Sequence, residues 1–245
     1  MSPKEKDSII LLCSHGSRAP AHSESLEILR NKINKDFKFK VIVCYLERNE
    51  PSLERSIRSS IKIYSEIIIF PFLIFEGIHF VNDVKLLIKK FGDRDSKKIV
   101  LIKKMSLMDE ILPLTSQTFK EVFSDKKDLI LVTCSSFSKK KSVISELEQY
   151  TKLLAKNLGI KSCYFHFSGD EKNVIKKIKN DNSNENYSIF FHPLFLFKGY
   201  LYQKSSTIFS NAFKSDVKIA DPLMNQTKIY KLVVNKLING VQTID

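Results

Sequence analysis

The sequence has few cysteines, and their spacing excludes thiolate metal centres. Cys13, Cys44, Cys134 and Cys163 are its only cysteines, and no two of them form a C-x-x-C pair. A thiolate zinc site or an iron–sulfur cluster uses closely spaced cysteines, so neither is indicated. Each cysteine falls near the end of a predicted buried strand, which is typical of small core residues that stay reduced.

Long apolar runs are also missing. No run approaches the roughly 20 residues that a membrane-spanning helix needs. The opening segment 1–7 is charged and lacks the apolar stretch of a signal peptide. These two observations predict a cytoplasmic protein without a membrane partner.

Acidic residues are in deficit. The chain has 27 Asp and Glu against 40 Lys and Arg, a formal net charge of +13. This excess suggests an anionic partner, which could be nucleic acid, an acidic membrane or a polyanionic small molecule. A solvated lysine-rich surface is the alternative, because acidic residues separate most of the lysines. No nucleic-acid-binding motif is present, and the aromatic residues are mostly Phe in apolar strands.

What the chain does contain is an internal repeat. Residues 66–77 return as residues 188–199, with Pro, Phe and Gly in register. Two positions beyond the glycine, the first copy has His79 and the second has Leu201. The repeat therefore keeps its apolar pattern in both copies and a histidine in one.

The start of each copy shows the same difference. An apolar run opens onto a motif containing His15 in the first copy, and we match this residue to Ser135 in the second. Two structural lobes with a single active site are predicted. We place the first lobe, with the histidines, at residues 1–124 and the degenerate second lobe at residues 125–245.

Both copies alternate short apolar strands with amphipathic helices. Strands that alternate with helices over short connections form parallel sheets with right-handed crossovers. We therefore predict an α/β protein of two similar, doubly wound parallel-sheet lobes with a cleft between them. Ligands of such sheets bind at the carboxyl ends of the strands.

Three candidate site residues follow the first three strands of the first copy. His15 follows strand one, Glu47 strand two and His79 strand three, so all three should meet at one edge of the sheet. Two imidazoles and a carboxylate can bind a divalent transition metal and leave coordination positions open. The same groups accept protons near neutral pH. Taken singly, each residue is more typical of a hydrogen-bonded or solvated loop.

Three motifs together resemble a known family. Residues 14–18 (SHGSR), 46–53 (LERNEPSL) and 75–83 (FEGIHFVND) are similar to the signatures of the class II tetrapyrrole chelatases, specifically the sirohydrochlorin cobalt/iron chelatases. The similarity covers residues 8 to about 115. The second half supports it through its topology, Pro193 and Gly199.

The resemblance implies a two-lobed lyase that inserts a metal into a tetrapyrrole without ATP. It implies that His15 and His79 are the catalytic pair and that Glu47 completes the metal site. Insertion replaces two pyrrole N–H protons, so the site needs proton acceptors that also release the ion. The metal, Co or Fe, is then a substrate, and no permanently bound cofactor is expected.

The substrate of that family explains the positive charge. Sirohydrochlorin carries eight carboxylates, so a basic surface would attract it. Arg18 and Ser17 are the residues that we predict to contact it. A turn residue facing water is the alternative for each.

The sequence leaves several functions possible. The chain could act on another tetrapyrrole, carry a metal or tetrapyrrole without insertion, or bind nucleic acid. Cobalt and iron both suit the predicted ligands, so the product pathway, sirohaem or cobalamin, is undecided. A monomer and a homodimer are both compatible with the duplication. Of the other histidines, we assign His22 to an exposed helix face and His192 to a core or surface role.

Overall fold

The computed structural model describes residues 7–37, 40–75, 80–123, 128–167, 171–182 and 187–242. Its strands are β1 (Ser8–Ser14), β2 (Lys40–Tyr45), β3 (Glu66–Pro71), β4 (Ile99–Leu101), β5 (Leu129–Ser136), β6 (Lys161–Phe167), β7 (Ser188–Pro193) and β8 (Val217–Ile219). Its helices are α1 (Pro20–Phe37), α2 (Leu53–Ser60), α3 (Phe80–Lys89), α4 (Gly92–Ser96), α5 (Leu112–Val122), α6 (Lys141–Leu158), α7 (Glu171–Asp181), α8 (Tyr200–Phe213) and α9 (Thr227–Gln242).

The strands form two parallel sheets with the same topology. The first sheet has the order β2-β1-β3-β4 and the second has the order β6-β5-β7-β8. All pairs are parallel. The predicted duplicated α/β fold is confirmed.

Equivalent residues pair in the two sheets. Cys13 of β1 lies opposite Pro71 of β3, and Cys134 of β5 lies opposite Pro193 of β7. The residue after each proline donates its backbone N–H to the cysteine carbonyl, at an N···O distance of 2.8 Å in both sheets. The repeated proline therefore marks the same position in both copies.

This register corrects one sequence match. Counting from the equivalent cysteines, His15 corresponds to Ser136, and the earlier match to Ser135 was wrong by one residue. The pairing of the strands decides which residues of the two copies are equivalent. The loop sequences alone do not.

The chain forms two compact units. One contains residues Met1–Met105 and Tyr230–Asp245, and the other contains Ser106–Ile229. These units differ from the predicted lobes, 1–124 and 125–245, in the placement of two helices. Helix α5 packs in the second unit, where Phe119 contacts Phe190 edge-to-face at 4.6 Å between ring centroids.

The last helix, α9, explains the other difference. The Tyr230 hydroxyl donates to Asp36 Oδ2 of α1 at 2.9 Å, and Lys32 Nζ lies 3.7 Å from the centre of the Tyr230 ring. Further along α9, Gly240 lies so close to Ile102 that an added Cβ would be 2.5 Å from its Cδ1. Most of this C-terminal helix therefore completes the first unit.

Each sheet has a buried central strand. All seven residues of β1 are buried, as are seven of the eight residues of β5. This is expected of a central strand covered on both faces by helices. Cys13, Cys44 and Cys134 are free thiols inside these cores, which confirms the predicted packing role for these three. Among the described residues, no helix is long and apolar enough to cross a bilayer.

Candidate active site

The candidate site lies at the carboxyl ends of β1, β2 and β3, which we call the first edge. Strand β1 pairs with β2 on one side and with β3 on the other. The chain passes from β1 to β2 on one side and then crosses to β3 on the other, so the winding direction changes at this edge. Ligands of this fold class bind at such a point. The family-like motifs begin here, where β1 and β2 end.

Backbone hydrogen bonds join the first two loops of this edge. The Leu46 N–H donates to the Ser14 carbonyl at 3.0 Å, and the Glu47 N–H donates to the His15 carbonyl at 3.1 Å. The pairing of β1 with β2 thus continues beyond the strands. It places the side chains of His15 and Glu47 on neighbouring backbones.

Gly16 allows this close approach. Its φ is +99°, and a Cβ added there would lie 2.0 Å from the Glu47 carbonyl oxygen. Any other residue would push the two loops apart. Asn49 adds a second link, because its Oδ1 accepts a hydrogen bond from the Ser17 N–H at 2.8 Å. These contacts give a structural reason for the glycine of the first motif and the asparagine of the second.

The two described candidate ligands face each other. His15 Nε2 is 3.7 Å from Glu47 Oε2, and both side chains are 57% exposed. Arg48 Nε is 3.9 Å from the same carboxylate oxygen. The backbone of Arg48 has a φ of +67°, which is uncommon for a residue with a side chain. An imidazole nitrogen and a carboxylate oxygen at this separation can bind one cation or exchange a proton.

Beneath this pair lies a histidine that the sequence analysis misplaced. We predicted His22 on an exposed helix face, but it is partly buried, and its Nε2 is 2.9 Å from Ser14 Oγ. Burial lowers the pKa of His22, and the nearby His15 lowers it further. Both effects favour the neutral form of the His22 imidazole. His22 lies in the first turn of α1, which begins just after the first motif, and this position was the available signal.

The predicted substrate contacts have different surroundings. Ser17 is part of the turn, since its Oγ accepts a hydrogen bond from the Ala19 N–H at 3.1 Å. This contact agrees with the alternative prediction that Ser17 is a turn residue. Arg18 is exposed, two residues before α1 begins. Its guanidinium is accessible to an anionic ligand.

The third predicted ligand, His79, lies outside the described residues. In the part of the chain that the structure describes, no group of three His, Cys, Asp or Glu side chains forms a metal site. The structure brings together His15 and Glu47 out of the predicted set of three. The pair leaves room in a metal's coordination shell for further ligands.

The chain is similar to a known protein family in its first half and to solved structures over most of its length. Residues 9–122 match the family model named CbiX. No curated protein matches the chain. SirB from Bacillus subtilis with Fe³⁺ is a similar solved structure, with a TM-score of 0.74 and 16% identity over 96% of each chain.

Two further solved structures are similar. The sirohydrochlorin chelatase SirB from Bacillus subtilis subspecies spizizenii, in complex with cobalt, has a TM-score of 0.73 and 16% identity over 97% of each chain. CbiX, the terminal enzyme of sirohaem biosynthesis in denitrifying bacteria, has a TM-score of 0.65 and 10% identity, covering 94% of this chain and 98% of that one. At these identities the likeness shows a shared fold.

The matched segment includes the residues of the first edge. The matched segment contains His15, Glu47 and all three motifs that resemble the chelatase signatures. Both units contribute to the shared fold, although the family model matches the first half alone. Residues 9–122, somewhat less than half of the chain, thus match the CbiX family model, and the chain as a whole shares the fold of the solved chelatases.

Proposed function

We propose that this protein is a sirohydrochlorin chelatase that inserts divalent cobalt or iron into the tetrapyrrole without ATP. The observation that carries the proposal is the pair of His15 Nε2 and Glu47 Oε2, 3.7 Å apart at the first edge, within the segment that matches the CbiX family. The product would enter sirohaem or cobalamin biosynthesis. We place the reaction in the cytoplasm, where reducing conditions keep thiols free and iron divalent.

The chemistry of insertion suits this pair of side chains. The incoming ion forms bonds to the pyrrole nitrogens, and two pyrrole N–H protons leave. A neutral imidazole can bind the ion and afterwards accept a proton, whereas a carboxylate favours the cation electrostatically. We propose that His15 and Glu47 hold the metal substrate together with His79. The high exposure of the described pair suits an ion that must be released.

Two arginines would serve the carboxylates of the substrate. Arg18, the last residue of the first motif, is exposed. Arg48 shares the Glu47 carboxylate and keeps a 54% exposed side chain. An arginine guanidinium can bind a carboxylate through two parallel hydrogen bonds. Ser17 is a weaker candidate because its hydroxyl oxygen already belongs to the turn.

The test is an anaerobic absorbance assay of the purified full chain with sirohydrochlorin and either Co²⁺ or Fe²⁺. We expect His15→Ala, His79→Ala and Glu47→Gln each to lower the insertion rate, with the double histidine variant losing about 100-fold or more. Ser136→Ala, at the position equivalent to His15, is the matched control and should keep the parent rate. The faster ion would indicate the pathway.

Three results would overturn the proposal. Normal turnover in the double histidine variant would remove these residues from the mechanism. Tight retention of metal and tetrapyrrole without insertion would make the protein a carrier. Insertion into a dicarboxylate porphyrin but not into sirohydrochlorin would assign a different substrate.

A further inference from the structure

An open groove lies on the outside of the second unit, between helices α7 and α8. Its volume is about 540 Å³. We call it the lysine groove and define it by the residues that line it, which are Lys172, Ile175, Lys176, Lys179 and Asn180 of α7 and Ile208, Asn211 and Ala212 of α8. All of them belong to the two helices, so the groove is separate from the loops that follow the strands.

The floor of the lysine groove is apolar. Ile175, Ile208 and Ala212 are half-buried and pack against the core of the second unit. That core includes Phe209 of α8, whose ring stacks on Phe191 of β7 at 4.1 Å between centroids. The apolar side chains therefore lie deeper than the exposed residues around them, on a packed support.

The rim of the lysine groove on the α7 side is cationic. Lys172, Lys176 and Lys179 are exposed, and their spacing of four and three residues brings them to one face of the helix. Lys179 Nζ lies 5.4 Å from the centre of the Phe213 ring. Among the described residues, no acidic side chain lines the groove, and none of the three ammonium groups forms an ion pair.

Other lysines of the second unit have carboxylate partners. Lys152 Nζ of α6 is 2.6 Å from Glu148 Oε1, one helical turn earlier. On α7, the residue one turn before Lys176 is Lys172, and like charges at this spacing destabilise a helix. The lysines of α7 therefore weaken their own helix in the absence of a partner. An anionic partner would relieve this repulsion.

We propose that the lysine groove binds an acidic amphipathic helix of a partner protein. The apolar side chains of that helix would cover the floor, and its carboxylates would pair with Lys172, Lys176 and Lys179. Amphipathic helices bind apolar grooves in this way, through side chains that recur every three or four residues. The three lysines extend about 10 Å along the helix axis, which matches about two turns of such a partner.

The two sides of the groove also set the orientation of the partner. The three lysines all lie on α7, whereas the α8 side offers the exposed amide of Asn211. The acidic side of the bound helix should therefore face α7, and its uncharged polar side should face α8. This inference goes beyond the proposed function and does not rest on it.

Other anionic surfaces, and a second copy of this chain, fit the lysine groove less well. A bilayer is flat, so it would contact the lysines but not the recessed floor. Proteins that bind single-stranded nucleic acid offer stacking rings, and no aromatic residue of the described chain lines this groove. A second copy has the same net charge of +13, which opposes self-association here. Membrane and nucleic-acid binding are therefore separate outcomes of the test.

The test measures the binding of a fluorescein-labelled peptide to the full chain by fluorescence polarisation. The probe is the heptad Leu-Glu-Glu-Leu-Leu-Glu-Glu repeated three times, which forms an acidic amphipathic helix. We expect the triple variant Lys172→Gln, Lys176→Gln, Lys179→Gln to raise the Kd about tenfold. A second peptide with Gln in place of every Leu should bind the parent about tenfold or more weakly, because it keeps the charge and loses the apolar face.

A matched control removes the same charge elsewhere in the unit. Lys120→Gln, Lys152→Gln, Lys156→Gln changes three exposed lysines of α5 and α6. These helices cover the other face of the second sheet, since Phe119 of α5 contacts Phe190, the neighbour of Phe191 on β7. This variant should bind the Leu-containing peptide like the parent.

Three results would overturn the inference: a parent that does not bind the Leu-containing peptide, an unchanged Kd in the α7 triple variant, or equal Kd values for the two peptides. Loss of binding to phosphatidylserine vesicles or to oligo(dT) in that variant, with an unchanged peptide Kd, would assign the lysines to a membrane or to nucleic acid instead. The metal-insertion rate of the α7 triple variant should equal that of the parent. A lower rate would connect these lysines with the proposed reaction and contradict a separate docking surface.

Discussion

The carboxyl ends of β5, β7 and β8 form the second edge, which is equivalent to the first edge. The two edges carry different side chains although their sheets have the same strand order. At the first edge, β1 leads into His15 and Gly16, and the histidine meets Glu47 from the next loop. At the equivalent positions, the second edge has Ser136, the last residue of β5, and Phe137. The sheet thus positions the loops in both copies, and a few loop residues decide what each edge can bind. This agrees with the general separation of fold from function.

The cores beneath the two edges differ as well. In the first sheet, the neighbours Leu12 and Phe70 are apolar and fully buried. In the second, the equivalent neighbours are Thr133 and His192, also fully buried. Thr133 forms a hydrogen bond with Thr151. The same fold therefore accepts polar residues in its centre where hydrogen-bond partners are available.

Of the two buried polar residues, His192 has the less complete set of hydrogen bonds. Its Nε2 is 3.1 Å from the hydroxyl of Tyr150, but its Nδ1 has no partner among the described residues. Phe119 packs against the ring edge-to-face at 4.9 Å between centroids. Burial lowers the pKa of His192 to about 3. Of the two predicted roles for His192, in the core or on the surface, the structure shows the core.

The largest expected effect is that of a substitution at Gly16, which has a close contact found only at the first edge. Gly16→Ala should lower the free energy of unfolding by about 3 kcal/mol and reduce metal insertion strongly, because the added Cβ would overlap the Glu47 carbonyl and break the loop pairing. Urea unfolding and the insertion assay measure the two effects.

Gly92→Ala is the control for this substitution. Gly92 also has a positive φ, +74°, but an added Cβ would meet nothing within 4 Å. The backbone strain alone should cost about 1 kcal/mol. Equal losses in the two variants would show that the close approach of the loops is unimportant.

A smaller effect is a loss of folding stability at low pH, caused by His192 in the core of the second unit. In the folded state the pKa of His192 is about 3, whereas an unfolded histidine titrates near 6.5. Below pH 6.5 the unfolded chain therefore binds a proton that the folded chain does not, and stability falls by up to about 1.4 kcal/mol per pH unit.

His192→Phe, which copies Phe70 of the first sheet, should remove this contribution. Urea unfolding at pH 7 and at pH 5 would measure it, with the pH dependence of the variant compared with that of the parent. The carboxylates titrate in both proteins, so the difference isolates His192. Parallel pH dependences would contradict the prediction.

The smallest effect concerns the support of the first edge. Ser14 is buried, and its hydroxyl meets His22 at 2.9 Å. Ser14→Ala and His22→Ala should each lower the free energy of unfolding, with a coupling energy of about 1 kcal/mol in a double-mutant cycle. Additive losses in the double variant would show that the two side chains act independently.

The repeat in the sequence predicted much of the architecture. Apolar runs of strand length, separated by amphipathic helices, allow few arrangements, because parallel strands need right-handed crossovers. The two sheets have one strand order for this reason. The same pattern placed His15 and Glu47 after adjacent strands, and the structure brings their side chains together. These features depend on periodicity and on strand ends, which are local properties.

Other features were decided by contacts between distant residues. The Ser17 N–H finds its acceptor 32 positions away, on Asn49, and Tyr230 meets Asp36 across 194 positions. The burial of His22 and the transfer of α9 to the first unit depend on such contacts. Local composition alone determined the strands, the helices and the candidate ligands. The tertiary structure decided which loops lock together and where each helix packs, because those choices depend on side chains that meet only after the chain has folded.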